Sequence, residues 1–193
     1  MLLNDSEIKK LAKQGLITPF EPKLVRRVEE TPVLSYGLSS YGYDLRLSAK
    51  EFKVFRHVPG KVVDPKNFYA GNLETAKLHA DESGQFFILP GRSYGLGVAI
   101  ERLKLPDDIS AICVGKSTYA RCGIIANLTP AEAGWAGHLT LEFSNASAAD
   151  CRLYANEGIV QMLFFRGEPC ETCYSKRKGK YQGQTQRIVA AKV

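Results

Sequence analysis

Short runs in which apolar and polar side chains alternate recur along most of this chain: YDLRL, EFKVF, QFFIL, YGLGVAI, ISAICV, HLTLEF and IVQMLFF. Alternation with period two belongs to a strand buried on one face. The runs are separated by Gly, Pro, Asn and Asp, which favour turns, and the 17 glycines and nine prolines are spread along the chain to serve them. Only the N-terminus reads differently. Asn4 followed three residues later by Glu7 is a helix-start signal, Ile8, Leu11 and Ala12 then share one helical face, and Gly15 stops the run. The pattern predicts a mainly β fold with one short N-terminal helix.

Two segments change that picture. In HLTLEF, His138, Thr140 and Glu142 fall on one strand face and Leu139, Leu141 and Phe143 on the other, so a carboxylate opposes the apolar face. The tail from Tyr174, YSKRKGKYQGQTQR, carries almost no apolar face; its composition predicts a mobile segment. With 193 residues, no internal repeat and no low-complexity stretch, a single domain spanning 1–193 is expected.

Composition excludes some classes. The net charge of +6 is a mild basic excess, short of a dedicated nucleic-acid binder and suited to an anionic small molecule. No apolar run approaches the roughly 20 residues needed to span a bilayer, and MLLNDSEIKK acquires charge too early for a signal peptide, so a cytoplasmic protein without a membrane partner is expected. Five cysteines at irregular spacing fit reduced thiols better than a disulfide framework.

Candidate chemistry centres on residues 115–145, GKSTYARCGIIANLTPAEAGWAGHLTLEFSN. Lys116, Ser117 and Thr118 follow Gly115 directly after the strand ISAICV, where amides, a hydroxyl and an ammonium can converge on phosphate. A P-loop is disfavoured, because the glycine it needs five positions before Gly115 is Ser110. Arg121 offers a planar fork for a carboxylate or phosphate, or else a surface ion pair. Gln161 interrupts the apolar run IVQMLFF, where a buried amide needs partners. Lys176, Arg177, Lys178 and Lys180 are interleaved with Tyr174 and Tyr181, as in a solvated tail or one that closes over a triphosphate. Asp44 and Arg46 in SSYGYDLR read as parts of an architectural strand near a subunit contact. Pro169, Cys170 and Cys173 reproduce half of the zinc-deaminase signature, but no histidine is followed by the H-x-E half, so no zinc is expected.

GKSTYARCGI, GHLTLEFSN, YANEGIVQMLFF and GKYQGQ, preceded in order by SSYGYDLR, EFKVF and VDPKNF, resemble the dCTP deaminases, zinc-independent nucleotide deaminases related to trimeric dUTPases. The resemblance covers nearly the whole chain. It implies a dUTPase-like distorted β-barrel (β-clip) with the C-terminal segment 174–193 as a lid over the nucleotide. It implies deamination of dCTP to dUTP with release of ammonia, supplying dUTP for dUMP and thymidylate synthesis. Mg²⁺ would ride on the substrate triphosphate, with no side-chain metal ligand. A homotrimer with sites shared between adjacent subunits and feedback inhibition by dTTP are implied as well.

By the same resemblance, Glu142, Ser117 and Arg121 are catalytic. Lys116, Thr118, Tyr119, Ala120, Thr140, Leu141, Gln161, Tyr174, Lys180 and Gln184 join them in binding substrate. Without zinc, a side chain must activate water, and Glu142 is the candidate base and proton shuttle. A backbone carbonyl at Thr129-Pro130 helps to hold that water. The chain departs from the commoner wording there, reading TPAEAGWAGH in place of TPLEPEWEGH. Three alternatives stay open: a dUTPase, a bifunctional enzyme giving dUMP and pyrophosphate, and a nucleotide-binding regulator. The turn Ala131-Glu132-Ala133-Gly134 lacks the aspartate of a dUTPase, which weighs against the first two.

Overall fold

A computed structural model of the chain describes residues 1–127 and 129–192. Helix α1 (Asp5–Ala12) is followed by β1 (Ile17–Thr18), β2 (Leu24–Val28), β3 (Thr31–Ser39), β4 (Gly42–Arg46) and β5 (Lys53–Phe55). A 3-10 turn at Ala70–Asn72 leads into β6 (Leu73–Thr75), β7 (His79–Asp81), β8 (Gly84–Leu89), β9 (Tyr94–Lys104) and β10 (Ile109–Gly115). Helix α2 (Ser117–Arg121), β11 (Ile124–Ala126), β12 (Thr129–Ala131), β13 (Ala136–Asn145), β14 (Cys151–Tyr154) and β15 (Gly158–Arg166) complete the order.

The helix starts where the capping residue predicts. The Asn4 side chain accepts from the Glu7 N–H at 3.1 Å, and Ile8 and Leu11 are buried. Glu7 does not reach back to the cap. Its carboxylate accepts from Lys10 and from Arg166 at the end of β15, which ties the helix to the sheet.

The strands sort into three antiparallel sheets. One runs β11-β13-β9-β5-β6, with β1 also on β9; a second runs β12-β10-β15-β4-β3-β2; the third is β14-β8-β7. The mainly β expectation stands: the described strands form three sheets around a common core. Phe52 stacks on Phe87 and Phe143 at centroid distances of 5.3 and 6.3 Å, joining strands of two sheets through the connection after β4. Each such ring, fully buried, contributes about 1.5–3 kcal/mol. Among the described residues no helix is long and apolar enough to cross a membrane.

The long strand β13 carries the alternation read from HLTLEF without a fault. Every second residue from Gly137 to Asn145 is buried, and His138, Thr140, Glu142 and Ser144 between them are half-buried. A β-bulge against β9 falls between His138 and Thr140.

The tail departs from its composition. The Tyr174 N–H donates to the Ala133 carbonyl at 2.8 Å, the Gly183 N–H to Ala136 at 2.8 Å, and the His138 N–H to the Gln184 carbonyl at 3.0 Å. A parallel bridge joins Gly137 to Gln184. Glycine is required at that crossing, because a Cβ on Gly137, whose φ is +152°, would lie 2.8 Å from the Gln184 nitrogen. Gly134, at φ +79°, makes the same allowance for Cys173. The segment predicted to be mobile is docked along β13 by backbone hydrogen bonds, which polar composition neither supplies nor prevents.

Candidate active site

The polar face of β13 and the docked tail enclose a cavity of about 770 Å³. Glu142 and Thr140 line it from the strand, and Tyr174, Lys180 and Gln184 from the tail. These five are residues singled out from sequence, and their meeting depends on strand parity plus the tail crossing at Gly137. Thr140 is the joint. Its hydroxyl accepts from the Val189 N–H at 3.2 Å and lies 3.5 Å from Gln184 Oε1, and beyond it the Ile188 N–H donates to Glu51 at 2.9 Å.

Sequence reasoning gave no role to several other walls. Tyr94, Leu96 and Asn127 stand beside Glu142, and Phe55 and Trp135 close the apolar sides. The Asn127 side chain donates to the Tyr94 hydroxyl at 2.9 Å, and the Trp135 indole N–H donates to the Tyr181 carbonyl at 2.9 Å. The period-two reading of YGLGVAI places Tyr94 on one face, but no one-dimensional pattern says that this face meets Glu142. Glu132 also reaches the cavity, where its carboxylate is paired with Arg177 of the tail.

Charge in the site follows from burial. The Tyr94 phenol is pushed up by burial and then by the nearby Glu142 charge. Cys113, behind Glu142 on β10, is pushed to about 12 by the same two causes in the same order, so it is a neutral thiol at physiological pH. Burial holds His138 below the ordinary histidine range.

The other half of the expected site lies elsewhere on the chain. Ser117, Thr118, Ala120 and Arg121 are exposed on α2, where the Arg121 guanidinium donates to the Ser117 carbonyl at 3.1 Å. Tyr119 is 5% exposed, and its phenol accepts from the Tyr154 N–H at 2.9 Å, so the side chain is a core element. Leu141 likewise points into the core. Lys116 is paired with Asp44 and donates to the Ser35 carbonyl and hydroxyl at 2.9 and 3.1 Å. Gln161 donates to the other Asp44 oxygen at 2.9 Å and to Ser39 at 3.3 Å. Asp44, read from sequence as architectural, is the acceptor that organises Lys116 and Gln161.

Cys173 is buried with its sulfur 3.2 Å from the Ser175 hydroxyl, and Cys170 is partly exposed. Among the described residues no group of three His, Cys, Asp or Glu side chains is arranged to hold a metal ion.

A β scaffold with a carboxylate-bearing cavity of ligand size, closed by a cationic and aromatic segment, is the architecture of an enzyme for a small anionic substrate. Residues 2–167 match the family model described as dCTP deaminase-like. The dCTP deaminase of Azoarcus sp. (strain BH72) is 49% identical over 184 residues, 94% of each chain, and that of Dichelobacter nodosus is 48% identical over the same span. The chain belongs to the dCTP deaminase family. In fold it is similar to the 2'-deoxycytidine 5'-triphosphate deaminase of Agrobacterium tumefaciens, at a TM-score of 0.55 and 18% identity, over 86% of this chain and 48% of that one.

Proposed function

We propose that this protein deaminates dCTP to dUTP and ammonia with Glu142 as the proton shuttle. The observation that carries the reading is the meeting of Glu142 and Thr140 with Tyr174, Lys180 and Gln184 around one cavity. Glu142 takes a proton from water as the oxygen attacks the amino-bearing ring carbon. The carboxylic acid so formed protonates the ring nitrogen; the carboxylate then takes the proton of the adduct's hydroxyl and passes it to the amino group, so the carbonyl forms as the C–N bond breaks, ammonia leaves and the carboxylate is regenerated. Thr140 and the Thr129-Pro130 backbone supply polar groups around base and water. Phe55, Trp135 and the tail tyrosines exclude bulk solvent.

Ser117 and Arg121 act on the same substrate from a neighbouring subunit. Their exposure on α2, away from the Glu142 cavity, supports a homotrimer in which each site takes Glu142 from one chain and KSTYAR from the next. Lys116, Thr118, Ala120 and Gln161 belong to this second half, with the tail's Lys180 completing the phosphate contacts.

Mg²⁺ fits as a companion of the triphosphate. It keeps several waters and takes phosphate oxygens readily, so it would be held by the triphosphate itself. Bound there it would neutralise phosphate charge, while Lys180 orients the remaining oxygens. Feedback by dTTP at the same cavity and a cytoplasmic setting complete the reading. The product is a substrate for a reaction that hydrolyses dUTP to dUMP.

The bifunctional alternative needs a carboxylate to activate water at the α-phosphate. Glu132 is the candidate, and its pairing with Arg177 favours a role in tail docking instead. The test is product analysis after incubation with dCTP and Mg²⁺: ammonia and dUTP in equal amounts are expected, and pyrophosphate released in step with ammonia would decide for the bifunctional enzyme. Glu142→Gln, which keeps shape and loses the shuttle, is expected to lower kcat by at least about 10³-fold, since general acid–base assistance contributes roughly 10²–10⁴-fold and is used at more than one step. A variant within tenfold of the parent enzyme would remove Glu142 from the mechanism.

A further inference from the structure

The chemistry above gives no part to Tyr94, although its phenol stands in the cavity wall beside Glu142. β13 pairs with β9 so that Ser144 faces Tyr94 and Glu142 faces Leu96. Tyr94 and Glu142 are therefore diagonal neighbours on one sheet face, about 7–8 Å apart at the backbone and within reach of long side chains. The ring is held from two sides. Phe55 meets it edge-on at 5.1 Å, and Asn127 Nδ2 donates to the phenol oxygen at 2.9 Å. Asn127 is fixed to the same strand, its own N–H donating to the Glu142 carbonyl at 3.1 Å. A phenol that accepts from Asn127 still has one O–H to give.

We propose that Tyr94, oriented by Asn127, is a positioning residue that gives this O–H to the Glu142 carboxylate, directly or across one water. The inference rests on the reading of Glu142 as proton shuttle. The donor fixes the direction of the carboxylate and favours its ionised form, which is the form that takes a proton from water. Burial and the Glu142 charge together raise the Tyr94 pKa, so the phenol is a protonated donor at working pH. Other ionisable groups face this corner. Cys113 lies behind on β10, Glu132 and Arg177 are paired with each other, and Lys180, Tyr174 and Tyr181 come from the tail. None of them is altered by removing the phenol oxygen, so a Tyr94→Phe enzyme loses only the phenol's two hydrogen bonds, the one accepted from Asn127 and the one given.

The experiment is the pH profile of kcat/KM for Tyr94→Phe, Asn127→Ala and the double variant, alongside Glu142→Gln. Loss of a donor to an ionised carboxylate raises its pKa, so the acid limb should move to higher pH by about 0.5–1 unit. At neutral pH, kcat should fall by about tenfold with KM changed by less than about twofold. The double variant should be no worse than the poorer single one, because both act through one O–H. A merely structural role would lower the melting temperature without moving the acid limb. An unmoved acid limb in Tyr94→Phe, or a rise in KM alone, overturns the proposal while an inactive Glu142→Gln leaves the parent reading in place. An active Glu142→Gln enzyme removes both.

Discussion

Asp44→Asn is the sharpest test of how the cluster of Asp44, Lys116 and Gln161 is built. The carboxylate is 3% exposed, and its two oxygens take the Lys116 ammonium and the Gln161 amide. Asparagine keeps the shape and one acceptor, but it removes the negative charge and turns a donor toward either Lys116 or Gln161. Breaking a buried ion pair by removing one partner costs about 3–5 kcal/mol, because the remaining charge is left uncompensated. Here the ammonium retains both Ser35 oxygens and some solvent access, so a loss of about 2–3 kcal/mol is expected. For a chain of this size, about 2–4 °C of Tm per kcal/mol gives a fall of about 4–12 °C. Differential scanning calorimetry at matched protein concentration measures it. Adding Lys116→Met should recover part of the loss, because the stranded charge goes with it. A Tm within about 2 °C of the parent, or strictly additive losses in the double variant, would refute the claim that Asp44 organises this cluster.

Truncation after Cys173 should abolish deamination, because Tyr174, Lys180 and Gln184 leave the cavity. It should also shift the fluorescence of Trp135, the chain's one tryptophan, to longer wavelength as the 4% exposed indole loses its Tyr181 partner and meets water. An active truncated enzyme with unchanged emission would return the tail to a passive role. Cys170→Ser with Cys173→Ser should retain deamination without stoichiometric zinc, Ser175 remaining as a partner for the new hydroxyl at 173. Loss of activity restored by added zinc would overturn the zinc-independent mechanism.

Local chemistry made much of this legible in one dimension. The Asn4 cap, the turn residues between runs and the parity of HLTLEF depend on near neighbours, and the helix, the β class and the outward face of Glu142 follow from them. The motifs in GKSTYARCGI and GHLTLEFSN likewise carried the family, which the whole-chain relatives bear out.

Contacts distant in sequence were decided only by the fold. Composition made the tail mobile, yet its backbone groups find partners on β13 because Gly134 and Gly137 leave room for them. Asp44 gives no sign in YDLRL that it gathers Lys116 and Gln161, 72 and 117 residues away. Nor does YGLGVAI reveal that Tyr94 shares a face with Glu142, since that depends on the register of β9 against β13. Period and capping are properties of a segment; register, burial and charge pairing belong to the packed chain, because they are fixed by which surfaces meet when water is excluded.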